Sequence, residues 1–321
     1  MSSDMSDNIV FLDRDTTDRG DLDLSGLESL GQLVYHGITA PGEVSERIAG
    51  ADIVLTNKVE ISGAEMDAAH NLKLIQIAAT GVNNVDLDAA RERNLAVCNV
   101  SGYSTESVAQ HVFASLLNLE TNVNRFAAEP EEWPKSPIFT RLDYPINELS
   151  GKTLGIVGLG TIGKAVARIG KAFGMNIIAF AREGGSTGAI PRLPAQEFFA
   201  VSDVVTLHCP LTLKTHHFIN AESLGMMKDS AILINTGRGD LVNEPDLVVA
   251  LQSGAIRAAA IDVLTPEPPP ADHPLIAANL DNLFITPHTA WSALEARQRL
   301  VNSIVENIAA FRNGEKLNRV V

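Results

Sequence analysis

The segment that most constrains the fold is residues 153–163, which read TLGIVGLGTIG. An apolar run leads into Gly158, Gly160 and Gly163, and the pattern KAVARIGKAF that follows is typical of a helix. In such a turn the first glycine permits a tight bend, the second lets a pyrophosphate approach the backbone, and the third allows close helix packing. The order of strand, glycines and helix predicts a dinucleotide-binding βαβ unit, and a glycine-rich turn without a ligand is the alternative.

The rest of the chain has the alternation expected of an α/β protein. Strand-like apolar runs alternate with helical patterns through most of the 321 residues, which predicts parallel sheets built from βαβ units. A polar stretch at 129–150, with prolines and aromatic residues, separates two groups of strands and is expected to be an extended arm. We therefore expect two Rossmann-like domains. The predicted strands are 8–12, 52–56, 73–78 and 96–100 in the first group, and 153–157, 176–180, 203–208, 231–235, 258–263 and 283–286 in the second.

Two helical patterns set the expected domain boundaries. One covers 105–127, after the first group of strands, and the other covers 291–312, after the last strand. Because few residues follow the second helix, it needs an existing domain to pack on, and we assign it to the first group. This gives a smaller, discontinuous substrate-binding domain of residues 1–101 and 292–321, and a dinucleotide-binding domain of residues 102–291.

Composition excludes several classes of protein. Lys and Arg number 25 against 39 Asp and Glu, so the formal net charge is −14, and we expect no nucleic-acid binding because phosphate contacts need a basic surface. The two cysteines, Cys98 and Cys209, lie in apolar strand-like runs and encode neither a disulfide framework nor a zinc site. No signal-peptide pattern or uncharged apolar stretch of about 18 residues occurs. We expect a cytoplasmic protein that does not bind membranes.

The residues after the second strand of the βαβ unit bear on the choice of dinucleotide. A unit that favours NAD usually has Asp or Glu at this strand end to bind the ribose hydroxyls. Here the strand is followed by Ala181, Arg182 and Glu183. The missing carboxylate removes repulsion of a 2′-phosphate, and Arg182 could pair with that phosphate. We expect NAD(P)H with a preference for NADP(H); the alternatives are that Glu183 serves NAD and that Arg182 is a solvated charge.

Three further segments place reactive side chains just after predicted strands: ILINTGRGDLVNE with Arg238, IDVLTPEPPP with Asp262 and Glu267, and LFITPHTAWS with His288. The carboxyl ends of parallel strands line the ligand crevice of an open sheet, so these residues can meet at one site. For each residue alone, a structural or surface role is the alternative. Their combination with a dinucleotide motif indicates a catalytic site.

The chemistry of 2-keto acid reduction assigns a role to each residue. Arg238 offers a planar fork of donors for a carboxylate and the adjacent carbonyl oxygen. His288 can give a proton to the developing alkoxide as general acid, and take it back in the reverse direction. Glu267, if bonded to the other imidazole nitrogen, would orient the ring and favour its protonated form.

With these residues in place, the sequence resembles the D-isomer-specific 2-hydroxyacid dehydrogenase family from about residue 52 to residue 311. The resemblance implies the catalytic set Arg238, Glu267 and His288 and the reduction of a 2-keto acid to its D-hydroxy product. It also implies a cleft that closes over the substrate and a homodimer built through the cofactor domains. The segments that carry it are IAATGVNNVDLDAA, GYSTESVAQH, GIVGLGTIG, SDVVTLHCPLTLKTHHFI, ILINTGRGDLVNE, AAAIDVLTPEP and ITPHTAW.

The same resemblance assigns binding residues. Asp262 should face the nicotinamide carboxamide, and the backbone amides of Ala79, Thr80, Gly81 and Val82 should hold the substrate carboxylate. Lys58 aligns with a loop that closes over the active site, and a surface lysine is the alternative. The remaining residues implied to line the cofactor cleft are Val108, Thr161, Ile162, His208, Pro210, Thr215 and Thr236.

Details of the resemblance narrow the choice of substrate. The chain is similar to the glycerate dehydrogenase or hydroxypyruvate reductase branch at TNK, at ATGVNNVD and at the Trp291 after HTA. This favours hydroxypyruvate and glyoxylate as substrates. For Trp291, the alternative is a structural role as a core aromatic residue. The rival hypotheses are a dinucleotide-sensing scaffold of the same fold and an oxidoreductase of formate or phosphite.

Two further expectations concern metal and assembly. The other histidines have no carboxylate or cysteine partners at ligand spacing, so no metal site is expected. Trp133, Phe139 and Tyr144 are too many aromatic residues for a free loop, so we expect the arm to pack on a second subunit. The histidines in question are His36, His70, His111, His216, His217 and His273.

Overall fold

The computed structural model describes residues 7–181 and 189–321. Its strands, which all pair in parallel, are β1 (Asn8–Phe11), β2 (Gln32–Tyr35), β3 (Ile53–Thr56), β4 (Leu74–Ile77), β5 (Ala96–Cys98), β6 (Thr153–Val157), β7 (Asn176–Phe180), β8 (Arg192–Leu193), β9 (Val204–Leu207), β10 (Ile232–Asn235), β11 (Ala258–Ile261) and β12 (Leu283–Ile285).

The helices lie between these strands and after the last one. The α-helices are α1 (Ser25–Glu28), α2 (Val44–Ile48), α3 (Gly63–Ala68), α4 (Leu87–Glu92), α5 (Thr105–Thr121), α6 (Val123–Ala128), α7 (Thr161–Ala172), α8 (Ala195–Val201), α9 (Ala221–Gly225), α10 (Glu244–Ser253), α11 (Pro274–Ala277) and α12 (Leu294–Arg312). Short 3₁₀ helices cover Arg14–Thr16, Pro41–Glu43, Pro130–Lys135 and Gly239–Leu241. None of the helices in the described part of the chain has the length and apolar character of a membrane span.

The chain divides into two compact units. The first contains the residues up to Ser104 together with Ser292–Val321, and the second is Thr105–Trp291. A five-stranded sheet of order β2-β1-β3-β4-β5 lies in the first unit, and a seven-stranded sheet of order β12-β11-β10-β9-β6-β7-β8 lies in the second. The predicted α/β class with two parallel, Rossmann-like sheets is confirmed.

The last helix is part of the first unit. α12 contacts α1 and β4, and its buried Asn307 donates hydrogen bonds to Gln76 Oε1 at 3.0 Å and to the Asn99 carbonyl at 2.8 Å. These polar ties satisfy a side chain that would be costly to bury unpaired. They hold the C-terminal part of the chain beside a sheet built from its N-terminal part.

The central strands of the second unit are buried on both faces. Leu233 packs in a cluster with Leu247 of α10, while its neighbours Ile232 and Ile234 pack in another cluster with Phe113 of α5. Because alternate residues of a strand point to opposite faces, helices cover both faces of the sheet. Loops at the carboxyl ends of these strands are therefore fixed by a buried scaffold.

Some local predictions were wrong. The sequence pattern missed β2, whose residues are only partly buried, and the two-residue edge strand β8. The helix predicted at 105–127 is interrupted at Asn122, which has a left-handed φ of 51°. The last helix begins at Leu294, not at residue 291, and the expected extended arm begins with a 3₁₀ helix, Pro130–Lys135. Cys209 follows β9 instead of lying within a strand.

Candidate active site

The glycine turn joins β6 to α7. Gly158 has a φ of 100°, and a Cβ there would lie 2.6 Å from the carbonyl carbon of His208. A side chain on Gly163 would overlap the carbonyl oxygen of Gly158. Around Gly160, in contrast, an added Cβ meets no atom within 4 Å. The turn therefore leaves space for a pyrophosphate beside Gly160 and the N-terminus of α7.

The three candidate catalytic residues follow neighbouring strands. Arg238 comes after β10, Glu267 after β11 and His288 after β12. His288 Nδ1 lies 2.6 Å from Glu267 Oε2, and Glu267 Oε1 accepts the Leu264 amide at 2.9 Å. Because Nδ1 is engaged, Nε2 is the imidazole nitrogen that can exchange a proton with a substrate.

The backbone of His288 is held in an unfavourable conformation. Its φ is 53°, in the left-handed region, which costs a non-glycine residue about 1–3 kcal/mol. The His288 amide donates hydrogen bonds to the Asp262 carbonyl at 2.8 Å and to the Thr286 carbonyl at 3.0 Å. These contacts impose the conformation and so fix the point from which the imidazole projects.

Asp262 holds the turn that carries His288. Its carboxylate accepts hydrogen bonds from the Thr286 hydroxyl at 2.6 Å and from the amides of Thr289 and Ala290 at 2.9 Å each. His111 Nε2 lies 3.6 Å from Asp262 Oδ1, and Asp262 is 2% exposed. The resemblance implies a contact with the nicotinamide; the observed contacts give Asp262 a second role, in shaping residues 286–290.

Arg238 is half-buried in a loop that its own neighbours hold. The Asn235 side chain donates to the Arg238 carbonyl at 2.8 Å and accepts the Gly237 amide at 3.0 Å. A Cβ on Gly239 would overlap the backbone of Leu264, so the Arg238 loop lies directly against the loop that carries Glu267. A change in one loop will therefore disturb the other.

In the first unit, Lys58 follows β3 in a loop anchored by a buried carboxylate. Asp13, directly after β1, accepts the amides of Asn57 at 2.9 Å, Lys58 at 2.6 Å and Val59 at 3.2 Å. Burial raises the pKa of Asp13, while these three amides oppose the rise. Asp13 was not among the predicted site residues, although it directly follows a predicted strand, as Arg238 and His288 follow theirs.

The predicted carboxylate-binding loop, residues 79–82, follows β4 in the first unit. Thr80 is exposed; its hydroxyl donates to the Val100 carbonyl at 2.9 Å, and its carbonyl accepts the Asn99 side-chain amide at 2.8 Å. The loop is thus tied to the segment after β5. The Thr80 hydroxyl and carbonyl are occupied by these contacts, so the predicted binding role of the loop rests on its backbone amides.

Comparison with known proteins identifies the family. Residues 113–290 match the model of the D-isomer specific 2-hydroxyacid dehydrogenase NAD-binding domain. The chain belongs to the D-isomer-specific 2-hydroxyacid dehydrogenases. It is 38% identical, over 97% of this chain and 99% of the relative, to a hydroxypyruvate reductase of Blautia hydrogenotrophica. It is also 38% identical, over 98% of this chain and 99% of the relative, to a glycerate dehydrogenase of Methylorubrum extorquens.

A solved structure gives the same result for the fold. The crystal structure of the TT0316 protein from Thermus thermophilus is 36% identical, and its TM-score is 0.86 over 98% of this chain and 100% of that one. The family match also establishes that the dinucleotide of this dehydrogenase is a nicotinamide dinucleotide.

Several second-unit residues of this dehydrogenase fit such a cofactor. Among the described residues, the Thr236 hydroxyl is buried without a hydrogen-bond partner, so a bound cofactor could satisfy it. His208 Nε2 lies 2.9 Å from the Thr206 hydroxyl, and burial lowers the pKa of His208 to about 4, so the ring is neutral at pH 7. Ala181, whose amide donates to the Leu193 carbonyl at 2.8 Å, offers no carboxylate.

Other predicted cofactor residues have structural contacts of their own. The Thr215 hydroxyl donates to the Pro210 carbonyl at 2.7 Å and accepts the Thr212 amide at 2.7 Å, closing the loop after β9. Val108 is buried on α5. Thr161 and Ile162 begin α7, beside the open space at Gly160. Arg182 and Glu183 lie outside the described residues.

The expectation that the other histidines have no carboxylate partner at ligand spacing was wrong for His111 and His273. His111 approaches Asp262, as described above, and His273 Nε2 lies 2.8 Å from Glu244 Oε2. The sequence missed these pairs because their members are 151 and 29 positions apart along the chain.

Another pair of histidines is relevant to the expectation that the chain has no metal site. Within residues 7–181 and 189–321, His216, His217 and Asp240 have potential ligand atoms within 4.8 Å of one another. His216 is exposed and His217 half-buried. We assign no metal to this group.

Proposed function

We propose that this dehydrogenase reduces hydroxypyruvate and glyoxylate to D-glycerate and glycolate with a nicotinamide dinucleotide. The observation that carries the proposal is the 2.6 Å contact between His288 Nδ1 and Glu267 Oε2, at strand ends next to that of Arg238. The relatives named hydroxypyruvate reductase and glycerate dehydrogenase support the choice of substrate.

The roles of the catalytic residues follow from this geometry. The Arg238 guanidinium would bind the substrate carboxylate and carbonyl oxygen, because its forked donors match both. His288 Nε2 would donate the proton that the new hydroxyl group needs, while Glu267 fixes the ring through Nδ1 and stabilises its positive charge. The nicotinamide, when bound, supplies the hydride.

The binding roles assigned to the first unit belong to the same proposal. Lys58 and the backbone amides of residues 79–82 would contact the substrate. The anchoring of the Lys58 loop by Asp13 supports this, because a loop that binds a small anion needs its amides fixed in advance.

For the cofactor, we propose a preference for NADP(H). The support is Ala181, which places no carboxylate where a 2′-phosphate would lie, and the sequence position of Arg182. Replacing Arg182 with Ala should weaken NADPH binding far more than NADH binding. Equal effects on the two Kd values would mean that Arg182 does not recognise the 2′-phosphate and is an ordinary solvated charge.

We also propose a homodimer in which the arm, residues 129–150, contacts a second copy. Trp133 is 61% exposed, Phe139 89% and Leu142 75%. The arm is nevertheless held by an ion pair between Arg141 and Glu129 at 2.9 Å. An ordered surface with this much exposed apolar area is typical of an interface. Sedimentation at micromolar concentration should show a dimer that Phe139→Asp weakens, and a wild-type monomer would contradict the proposal.

The two cysteines bear on the compartment. Cys98 and Cys209 are both free thiols, which suits a reducing compartment, and we propose the cytoplasm. Fractionation of cells that express the protein tests this.

The proposed activity is tested with the purified protein. Oxidation of NADPH and of NADH is followed separately with hydroxypyruvate, glyoxylate and pyruvate. We expect hydroxypyruvate to give the highest kcat/KM, with NADPH preferred. If the protein binds a dinucleotide but oxidises none with any keto acid, the proposal fails, and the scaffold and the formate or phosphite oxidoreductase remain to be tested.

A further inference from the structure

A buried pair of ionisable side chains lies behind the loop that carries Glu267. We propose that Glu244 and His273 are positioning residues that fix this loop, and through it Glu267 and His288, in the reacting geometry. The inference rests on the proposed function, because it concerns the same reaction. Neither residue belongs to the catalytic or binding set derived above.

The pair holds a single residue of the loop through both of its backbone groups. The Thr265 amide donates to Glu244 Oε1 at 3.2 Å, and the Thr265 carbonyl lies 3.2 Å from His273 Nε2. The same Nε2 is 2.8 Å from Glu244 Oε2. Both neighbours of Nε2 are acceptors, so Nε2 carries a hydrogen, and the two side chains fix the position of Thr265 together.

The fixed residue is adjacent to the one that holds Glu267. The Leu264 amide donates to Glu267 Oε1 at 2.9 Å, and Glu267 Oε2 contacts His288 Nδ1 at 2.6 Å. Moving Thr265 therefore moves the donor that orients the Glu267 carboxylate. Because His288 Nδ1 contacts that carboxylate, a displaced Glu267 would change the direction of the imidazole.

The same contact reaches the Arg238 loop. Glu244 is the first residue of α10, and the chain between Arg238 and α10 contains Gly239, which lies against the backbone of Leu264 and the side chain of Thr265. His273 precedes α11, at the far end of the proline-rich segment that follows Glu267. The pair therefore joins three chain segments: the start of α10, the residue before α11, and the loop at Thr265.

Burying two ionisable side chains costs free energy, so the pair does more than fill space in the core. His273 is 3% exposed and Glu244 9%, and His273 Nδ1 is buried without a hydrogen-bond partner among the described residues. Burial raises the pKa of Glu244, Asp240 adds to the rise, and His273 opposes it. Apolar side chains could fill the same space at a lower free-energy cost. What Glu244 and His273 add is their polar contacts with Thr265.

The test compares His273→Leu with Glu120→Leu, a matched control. Glu120 is also buried in the second unit and pairs with Lys152 at 2.9 Å and Arg257 at 2.7 Å, away from the catalytic loops. We expect His273→Leu to lower kcat for hydroxypyruvate by about tenfold to a hundredfold, with the Kd for NADPH within about twofold. Glu120→Leu should lower Tm but leave kcat unchanged.

A double-mutant cycle shows whether His273 acts through Glu267. In a Glu267→Gln background, His273→Leu should have almost no further effect on kcat, because the group that it positions is already lost. His273→Gln, which keeps a donor near the position of Nε2, should restore most of the activity. Multiplicative effects of the two substitutions, or an unchanged kcat in His273→Leu, would overturn the proposal. If His273→Leu does not fold, Glu244→Gln takes its place in the same cycle.

A readout without turnover separates this proposal from the proposed function. The proton shared by His288 Nδ1 and Glu267 should give a downfield NMR resonance that Glu267→Gln abolishes. We expect His273→Leu to shift or abolish it and Glu120→Leu to preserve it. If the wild type reduces no keto acid but this pattern holds, the proposed function fails and the positioning role stands; an unshifted resonance in His273→Leu contradicts the positioning role whatever the substrate.

Discussion

The loops after β10, β11 and β12 differ in kind from the loops after β3 and β4. In the second unit, side chains such as His288 and Glu267 contact one another and project as reactive groups. In the first unit, Asp13 fixes the amides of residues 57–59, and the loop at 79–82 offers mainly backbone. Under the proposed function, the first of these regions would transfer a proton and the second would hold an anion.

Substitutions in the two regions should therefore change different kinetic constants. A site made of side chains loses its chemistry when one of them is replaced. A site made of backbone amides tolerates replacement of its own side chains, but it depends on the residue that fixes the backbone. Effects on kcat should therefore concentrate in the second unit and effects on substrate KM in the first.

The largest effect is expected at His288. His288→Ala should lower kcat by about a hundredfold to ten-thousandfold, the range for a removed general acid, with the Kd for NADPH nearly unchanged. Steady-state kinetics and dinucleotide titration measure the two quantities. Near-normal turnover would refute the role of this residue.

A smaller effect is expected at Glu267. Glu267→Gln keeps the shape but removes the charge that stabilises the imidazolium, so kcat should fall by about tenfold to a hundredfold. The Kd for NADPH should change little, because Glu267 is not among the predicted cofactor-binding residues. A kcat of Glu267→Gln equal to that of the wild type would mean that the charge has no role.

In the first unit, the effect should fall on binding. Asp13→Ala removes the acceptor for three amides, and KM for hydroxypyruvate should rise by about tenfold, with a smaller change in kcat. Thr80→Val is the comparison in the neighbouring loop, because it removes one hydrogen bond, to the Val100 carbonyl, and leaves the amides of residues 57–59 fixed. A larger KM effect in Thr80→Val than in Asp13→Ala would reverse the comparison.

The smallest effect concerns stability and pH at His208. Its folded pKa of about 4 lies below the ordinary value of 6.5, so the unfolded chain binds more protons between these values. The contribution of the neutral ring is fully present above pH 6.5 and is lost as the pH falls towards 4. Denaturant unfolding of the wild type and of His208→Gln should show a flatter pH dependence in the variant; parallel curves would contradict this.

Much of this arrangement could be predicted from the sequence. Buried parallel strands are continuous apolar runs, so the carboxyl ends of β6, β10 and β11 could be placed within a residue or two, and the apolar run of the edge strand β12 allowed the same. Residues such as Arg238 and His288 follow such runs directly. The edge strand β2 was missed: its apolar run is only three residues long, and its residues are exposed or only partly buried.

What the sequence could not supply are contacts between distant segments. Asp13 binds backbone amides 44 to 46 positions away, and every sequence has such amides, so no pattern marks them. His273 has the same loop context as an exposed histidine, and only the packing of α10 and α11 brings it to Glu244. The left-handed backbone of His288 is likewise imposed by Asp262 and Thr286 from outside the residue.

We infer that this dehydrogenase forms a D-2-hydroxy acid with His288 as the proton donor. Chiral analysis of the product tests this inference, after NADPH and hydroxypyruvate are incubated with the wild type and with His288→Ala. We predict D-glycerate alone from the wild type and almost none from the variant in the same time. L-glycerate or no glycerate from the wild type, or D-glycerate at an undiminished rate from the variant, would contradict the account.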